Sequence, residues 1–198
     1  MARLNDIQMD ALREMGNIGS GNAATALSQM IAEVVDISVP STEILGLDSI
    51  AYALGGPERL MYVIYLEVVR EMPGTMLTVF SPETAEFFVR RLLQQKFVSL
   101  EDELAQSALR EIGSILCGSY LSALSQVVRL SAVGTVPAMA CDMLGAILDF
   151  ILAEIGQVAD EVFLMENELY VAEKKLECSQ LFLPRPEALR TILSAIGV

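Results

Sequence analysis

The side chains best suited to do chemistry in this 198-residue chain are Glu14 and Asn17. Three residues apart, they project from neighbouring positions on one face of a helix. Asparagine inside a helix is mildly unfavourable, and Gly16, Gly19 and Gly21 around it each cost roughly 1 kcal/mol against alanine. Two readings fit. Either the glycines let another element pack close and the polar pair is ordinary surface, or the polar face has work to do. The rest of the composition narrows that work. Histidine is absent, which removes histidine triads, histidine general bases and the common zinc sites. Cys117, Cys141 and Cys178 are too few and too scattered for a disulfide framework or a paired-cysteine metal site, and read as small buried thiols. Catalysis here must rest on carboxylates, amides, hydroxyls or on groups that a partner supplies.

The elements that must position such residues come from a chain that is 53% apolar, with mean hydropathy +0.48. Such a composition forms a large core. The uncharged run Ile112–Val128 is only 17 residues long and holds four serines and Gln126. A membrane-spanning helix needs about 20 mostly apolar residues, so the run reads as a buried helix. The opening residues MARLNDIQMDALRE lack an apolar signal region, and a cytoplasmic protein is expected. A net charge of −13 repels nucleic-acid phosphates and anionic membranes. It favours a protein partner with a basic rim.

The chain resembles itself. Ala11-Leu12-Arg13-Glu14-Met15-Gly16-Asn17-Ile18 recurs 97 residues later as Ala108-Leu109-Arg110-Glu111-Ile112-Gly113-Ser114-Ile115. Over positions 10–29, 11 of 20 pairs are identical, and the same offset carries Val39-Pro40 onto Val136-Pro137. One register held that long marks an internal repeat, about 1–97 and about 98–198.

Each half reads as a long helix, then strands, then a helix. In the first, Leu12, Met15, Ala23, Ala26, Leu27 and Met30 form one stripe, with Asn5 or Asp6 as cap. Strands follow over 34–39, 43–47, 60–69 and 74–80, and Pro82 opens a helix through Gln95. The second half gives helices over 102–128 and 142–155, strands over 161–164, 169–172 and 176–183, and a last helix from Pro186. No linker separates the halves. The expected fold is a single pseudo-two-fold α+β domain from an internal duplication, its two long motif-bearing helices packed on a shared β-sheet.

Asp10, Glu14, Asn17 and Pro40 stand as D-x3-E-x2-N-x22-P, and Ser107, Glu111, Ser114 and Pro137 repeat the frame as S-x3-E-x2-S-x22-P. This pattern resembles the signature of the CheC/CheX/FliY phosphatases of chemotaxis. Its two copies look more like the CheC type than the single-site CheX type, and no extra flagellar-switch domain of the FliY type is expected. The resemblance implies hydrolysis of the aspartyl phosphate of a phosphorylated CheY-like response regulator, which brings its own Mg²⁺ and lysine. Asn17 would orient the attacking water and Glu14 would dock onto the regulator's lysine. Asp10, Pro40, Ser107 and Pro137 would support the motif. No metal or cofactor of this chain is implied. An amide is no general base near neutral pH, so its part is positioning and electrostatics, which phosphoryl transfer allows. The second copy departs at Ser114, whose hydroxyl is shorter and offers one donor where an amide offers two. Glu111 and Ser114 therefore read as a degenerate site that docks weakly or is a relic.

Two other readings compete. Gly19-x-Gly21-x-x-Ala24 matches a dinucleotide-binding fingerprint, but that motif needs a strand before it, and DALREMGN is helical in composition. A binding module is the stronger alternative. CheC-like proteins also associate with the receptor deamidase CheD, and the segment with Asp142, Gly145, Ala146, Leu148 and Asp149 looks like the family's deamidase-binding helix. Asp142 and Asp149, seven apart, would share one stripe of it. The same segment also reads as an amphipathic core helix.

Overall fold

Helical periodicity and strand alternation set the order of elements. A computed structural model describes residues 6–95, 99–155 and 161–195. The chain runs α1 (Asp6–Ile31), β1 (Val35–Gly46), a 3-10 turn (Leu47–Ser49) into α2 (Ile50–Ala53), β2 (Leu60–Arg70), β3 (Gly74–Phe80) and α3 (Pro82–Leu93). It continues with α4 (Glu103–Val128), β4 (Ala132–Gly134), β5 (Ala138–Met143), α5 (Leu144–Ile155), β6 (Glu161–Val171), β7 (Lys174–Pro184) and α6 (Pro186–Ala195).

The seven strands make one sheet, ordered β1-β6-β7-β3-β2, with β4 and β5 both on the far side of β2. Every pairing is antiparallel. The first strand of each half pairs with the hairpin of the other half, β1 with β6 and β4–β5 with β2. The order therefore reads the same from either edge once the halves are exchanged. The two hairpins meet along β3 and β7, which explains why β3 is buried along its whole length.

Alternation sorts side chains to two faces. From β2, Met61 and Val63 join a cluster with α2 and α5, while Ile64, Leu66 and Val68 point to the face that α1, α3, α4 and α6 cover. Both faces are thus apolar. Gly19 brings α1 onto α4: a Cβ there would stand 3.1 Å from the Tyr120 Cα and 3.4 Å from the Ala123 Cβ. Gly113 does the same for α4 on the sheet, since its Cβ would meet Ile64 at 2.6 Å. For these two glycines the packing reading holds.

Several expectations need correction. The strands expected at 34–39 and 43–47 are one strand, β1. Its register shifts between Ser38 and Ser41, so Pro40, which has no amide hydrogen to give a ladder, is absorbed by a bulge on an edge strand. At the matching Pro137 the chain instead breaks between β4 and β5, two strands that short length and absent alternation hid. β6 is likewise continuous: Met165, Glu166 and Asn167 interrupt the pattern but keep their ladder partners Gln180, Ser179 and Cys178. α3 stops at Leu93 because Gln94 turns left-handed, with φ 51°. Asp6 is the first helical residue of α1, and Asn5 lies outside the described residues. Asp142 lies within β5, opposite Met61, so it does not share a helical stripe with Asp149. Cys117 and Cys178 are buried, but Cys141 is exposed on β5.

Candidate functional site

The two faces of α1 differ in kind. Gly16, Gly19, Ser20, Ala23, Leu27 and Ile31 are buried, whereas Asp10, Glu14, Asn17, Gly21 and Thr25 are exposed. The exposed set steps by four, three, four and four residues, which is one stripe along the helix. Near its middle, the Ser20 hydroxyl donates to the Asn17 carbonyl at 2.9 Å and the Thr25 hydroxyl to the Gly21 carbonyl at 3.0 Å. Glu14 and Asn17 thus share an outward ridge. The dinucleotide fingerprint finds no strand-to-helix turn here, because Gly19 and Gly21 both lie inside α1.

Glu33, Glu67, Glu83, Glu86, Glu168 and Glu177 each hold an arginine or lysine. Among the described residues the motif glutamates Glu14 and Glu111 are exposed carboxylates without an ion pair, a state they share with Glu43, Glu58, Glu101, Glu103, Glu173 and Glu187. Both are open to a cation from outside the chain.

The second motif occupies α4. Ser107 and Glu111 are exposed like their counterparts, but Ser114 is half-buried where Asn17 is exposed. Both distant prolines lie where the first strand of a half bends or breaks: Pro40 in the β1 bulge, Pro137 between β4 and β5.

Around α5 the candidate residues divide. Leu148 is buried, Ala146 and Asp149 are exposed, and the Gly145 amide donates to the Pro57 carbonyl at 2.9 Å. Side chains that sequence reasoning did not single out are exposed on α2, β2, β5 and α5: Tyr52, Leu60, Met143 and Phe150 are 73%, 52%, 50% and 56% exposed. Leu60 and Met143 face each other across the β2–β5 ladder. Large apolar residues inside apolar runs look like core, so no signal in the sequence separated them.

Burial raises three titratable groups in the fold. The Cys117 thiol is pushed up to about 12 by burial, 3.2 Å from the Thr78 hydroxyl. Burial drives the Tyr120 phenol well above its usual range. Tyr62 is pushed up to about 12, chiefly by burial and then by the neighbouring Cys141 thiol. Among the described residues no three of His, Cys, Asp and Glu gather closely enough to hold a metal ion. No helix among the described residues is long and apolar enough to cross a membrane.

An interlocked antiparallel sheet with paired long helices on one face is shared with FliY of Thermotoga maritima. Its crystal structure superposes with a TM-score of 0.77 at 19% identity, covering 98% of each chain. Residues 7–44, which hold Asp10, Glu14, Asn17 and Pro40, match the CheC-like family profile. The CheY-P phosphatase CheC of Bacillus subtilis is 30% identical over 98% of this chain and 96% of its own length. The flagellar motor switch phosphatase FliY of the same organism is 28% identical over 63% of this chain, a match spanning 33% of that larger protein. The chain belongs to the CheC family.

Proposed function

We propose that this protein is a cytoplasmic phosphatase that hydrolyses the aspartyl phosphate of a CheY-like response regulator. The observation that carries the reading is the pairing of an uncompensated, exposed carboxylate with an exposed amide on one ridge of α1, inside the stretch that matches the CheC-like profile. The relationship to a CheY-P phosphatase over nearly the whole chain supports it.

In this reading Glu14 receives the regulator's active-site lysine and fixes the register of docking. Asn17 then enters the phosphorylated site and holds a water in line with the phosphorus. The water oxygen forms the new P–O bond as the bond to the aspartyl oxygen breaks. That electron pair returns to the regulator's carboxylate, and the water's proton leaves with phosphate or solvent. The regulator supplies the Mg²⁺ that neutralises charge on the phosphoryl oxygens, so this chain contributes orientation and a dipole. Asp10 and Pro40 support the ridge. Ser107, Glu111, Ser114 and Pro137 form a degenerate copy, left by duplication of one unit spanning about 1–97 and about 98–198. The reversible order of the sheet supports that origin.

The test is the decay of a phosphorylated CheY-type regulator alone, with this protein, and with Asn17→Ala. Acceleration by the wild type that vanishes in the variant is the expected result. No acceleration of any chemotaxis regulator by the folded wild type would overturn the reading.

A second reading has its own observation, the exposed apolar Phe150 next to the exposed Asp149 on α5, with Tyr52 exposed on α2, which packs against α5. Exposed apolar surface beside an acid suits a protein partner, and a CheD-type receptor deamidase is the partner proposed for α5. Phe150→Glu should then abolish co-elution with the deamidase and leave phosphatase turnover intact.

A further inference from the structure

We infer that Gly21 is a docking residue, whose missing side chain lets the regulator's surface close onto Asn17. The inference rests on the phosphatase reading above and adds a residue to it.

Four glycines of the two long helices fall into two groups. Gly19 and Gly113 have packing reasons, with α4 backbone and Ile64 where a side chain would go. Gly21 and Gly118 have none: a Cβ at either position meets nothing within 4 Å. Both lie inside 26-residue helices and neither takes a positive φ. Any straight-chain residue would favour the helix more. They also occupy the same place in the repeat, four residues beyond Asn17 and Ser114 respectively. Within the folded monomer, then, the glycine has a local cost and no visible benefit.

The benefit lies outside. A helical Cα–Cβ bond tilts toward the helix N-terminus, so a side chain covers the turn before its own Cα. A side chain at position 21 would therefore lean over Asn17, its neighbour on the exposed stripe. Asn17 is short, so its amide reaches a recessed phosphoryl group only if the helix backbone comes right against the regulator. Bulk one turn away would hold the two surfaces apart. Approach of backbone to a ligand is a recurrent use of glycine. Gly118, beside the receded Ser114, keeps the same feature in the degenerate copy.

The experiment compares Gly21→Ala, Gly21→Gln and Gly118→Gln with the wild type, by thermal melting and by the concentration dependence of regulator dephosphorylation. All three variants should melt about 2–4 °C higher, as removal of an unstrained helical glycine predicts. Gly21→Gln should raise KM about tenfold or more with a smaller change in kcat, Gly21→Ala should raise it less, and Gly118→Gln should leave it within about twofold. An unchanged KM in an active, stabilised Gly21→Gln protein overturns the inference and spares the phosphatase reading. A lowered melting temperature in the Gly21 variants also overturns it, since the glycine would then serve the fold. A wild type that does not accelerate dephosphorylation overturns both.

Discussion

The two halves share a frame and differ in what stands on it. In each, a long helix presents an outward glutamate, pairs with its counterpart, and leads into a strand bent or broken at a Val-Pro step. Position 17 carries an exposed amide, whereas position 114 carries a half-buried hydroxyl. The buried sides differ too. Ser20 in α1 matches Cys117 in α4, whose thiol contacts Thr78 of the sheet. Backbone geometry is thus kept in both halves by packing, while chemistry depends on the reach of one side chain.

Exchanging that side chain is the most direct way to break the comparison. Asn17→Ser should lower kcat on the phosphorylated regulator by about 10²-fold, the scale expected when a reacting group loses its alignment. Ser114→Ala should change it less than twofold in the same assay. Ser114→Asn in the Asn17→Ser background decides how alike the halves are. Recovery of activity would make α4 a second working platform, and continued inactivity would make it scaffold.

Glu14 and Glu111 test docking in place of chemistry. Loss of an ion pair formed only in the complex raises KM with a smaller effect on kcat. Glu14→Gln should therefore raise KM about tenfold, roughly the 1.4 kcal/mol of a charge-assisted contact. Added salt should shrink the gap between wild type and variant. Glu111→Gln should leave KM within about twofold. Equal effects of the two substitutions, read by saturation kinetics, would mean that both halves dock.

How much of this was legible in the sequence follows from where each signal resides. The long helices and the hairpins carry their periodicity locally, and the repeat doubled it, so helix, strand pair and helix emerged in both halves. Spacing alone places Glu14 and Asn17 on one helical face, and the resemblance to the phosphatase signature is what singled them out as candidates. β4 and β5 were hidden because their pattern is set by the partner strand β2, 62 to 83 residues away. That same distant pairing draws Asp142 out of the expected helix and into β5. The exposure of Tyr52, Leu60, Met143 and Phe150 is likewise a tertiary product, set by how α2, β2, β5 and α5 pack. Gly21 and Gly19 look identical in the sequence. Only the position of α4 distinguishes a glycine that packs from one left open.

Below the surface, a smaller contrast separates the halves. Ser28 accepts from the Val35 amide at 2.9 Å and donates to the Ala24 carbonyl at 2.7 Å, tying α1 to β1. At the matching position the Ser125 hydroxyl oxygen is buried without a partner among the described residues. Ser28→Ala should cost about 1–2 kcal/mol by leaving the Val35 amide without that acceptor. Ser125→Ala should be neutral or stabilise by up to about 1 kcal/mol. Urea unfolding of the two variants checks the pair. A larger loss at Ser125 than at Ser28 would mean that β4 is held by a bond absent from this arrangement.

The smallest expected difference is one of pH, at the Ser20 and Cys117 positions. Burial holds the Cys117 proton to about 12, against 9.0 for an unhindered thiol. Below pH 9 both states keep the proton and the group contributes no slope. Above it the unfolded chain releases the proton first and binds fewer protons than the folded one, so stability falls as pH rises toward 12. A single such group gives a slope of at most about 1.4 kcal/mol per pH unit. Cys117→Ala leaves a small cavity, so the informative quantity is the slope and not the stability itself. Between pH 9 and 10.5 that slope should be shallower than in the wild type, while Ser20→Ala, which removes no titrating group, should leave it unchanged. Tyr62 and Tyr120 are shifted the same way by burial, so a residual slope should survive in Cys117→Ala. A slope equal to the wild type's would place the Cys117 thiol in contact with water and contradict its burial against Thr78.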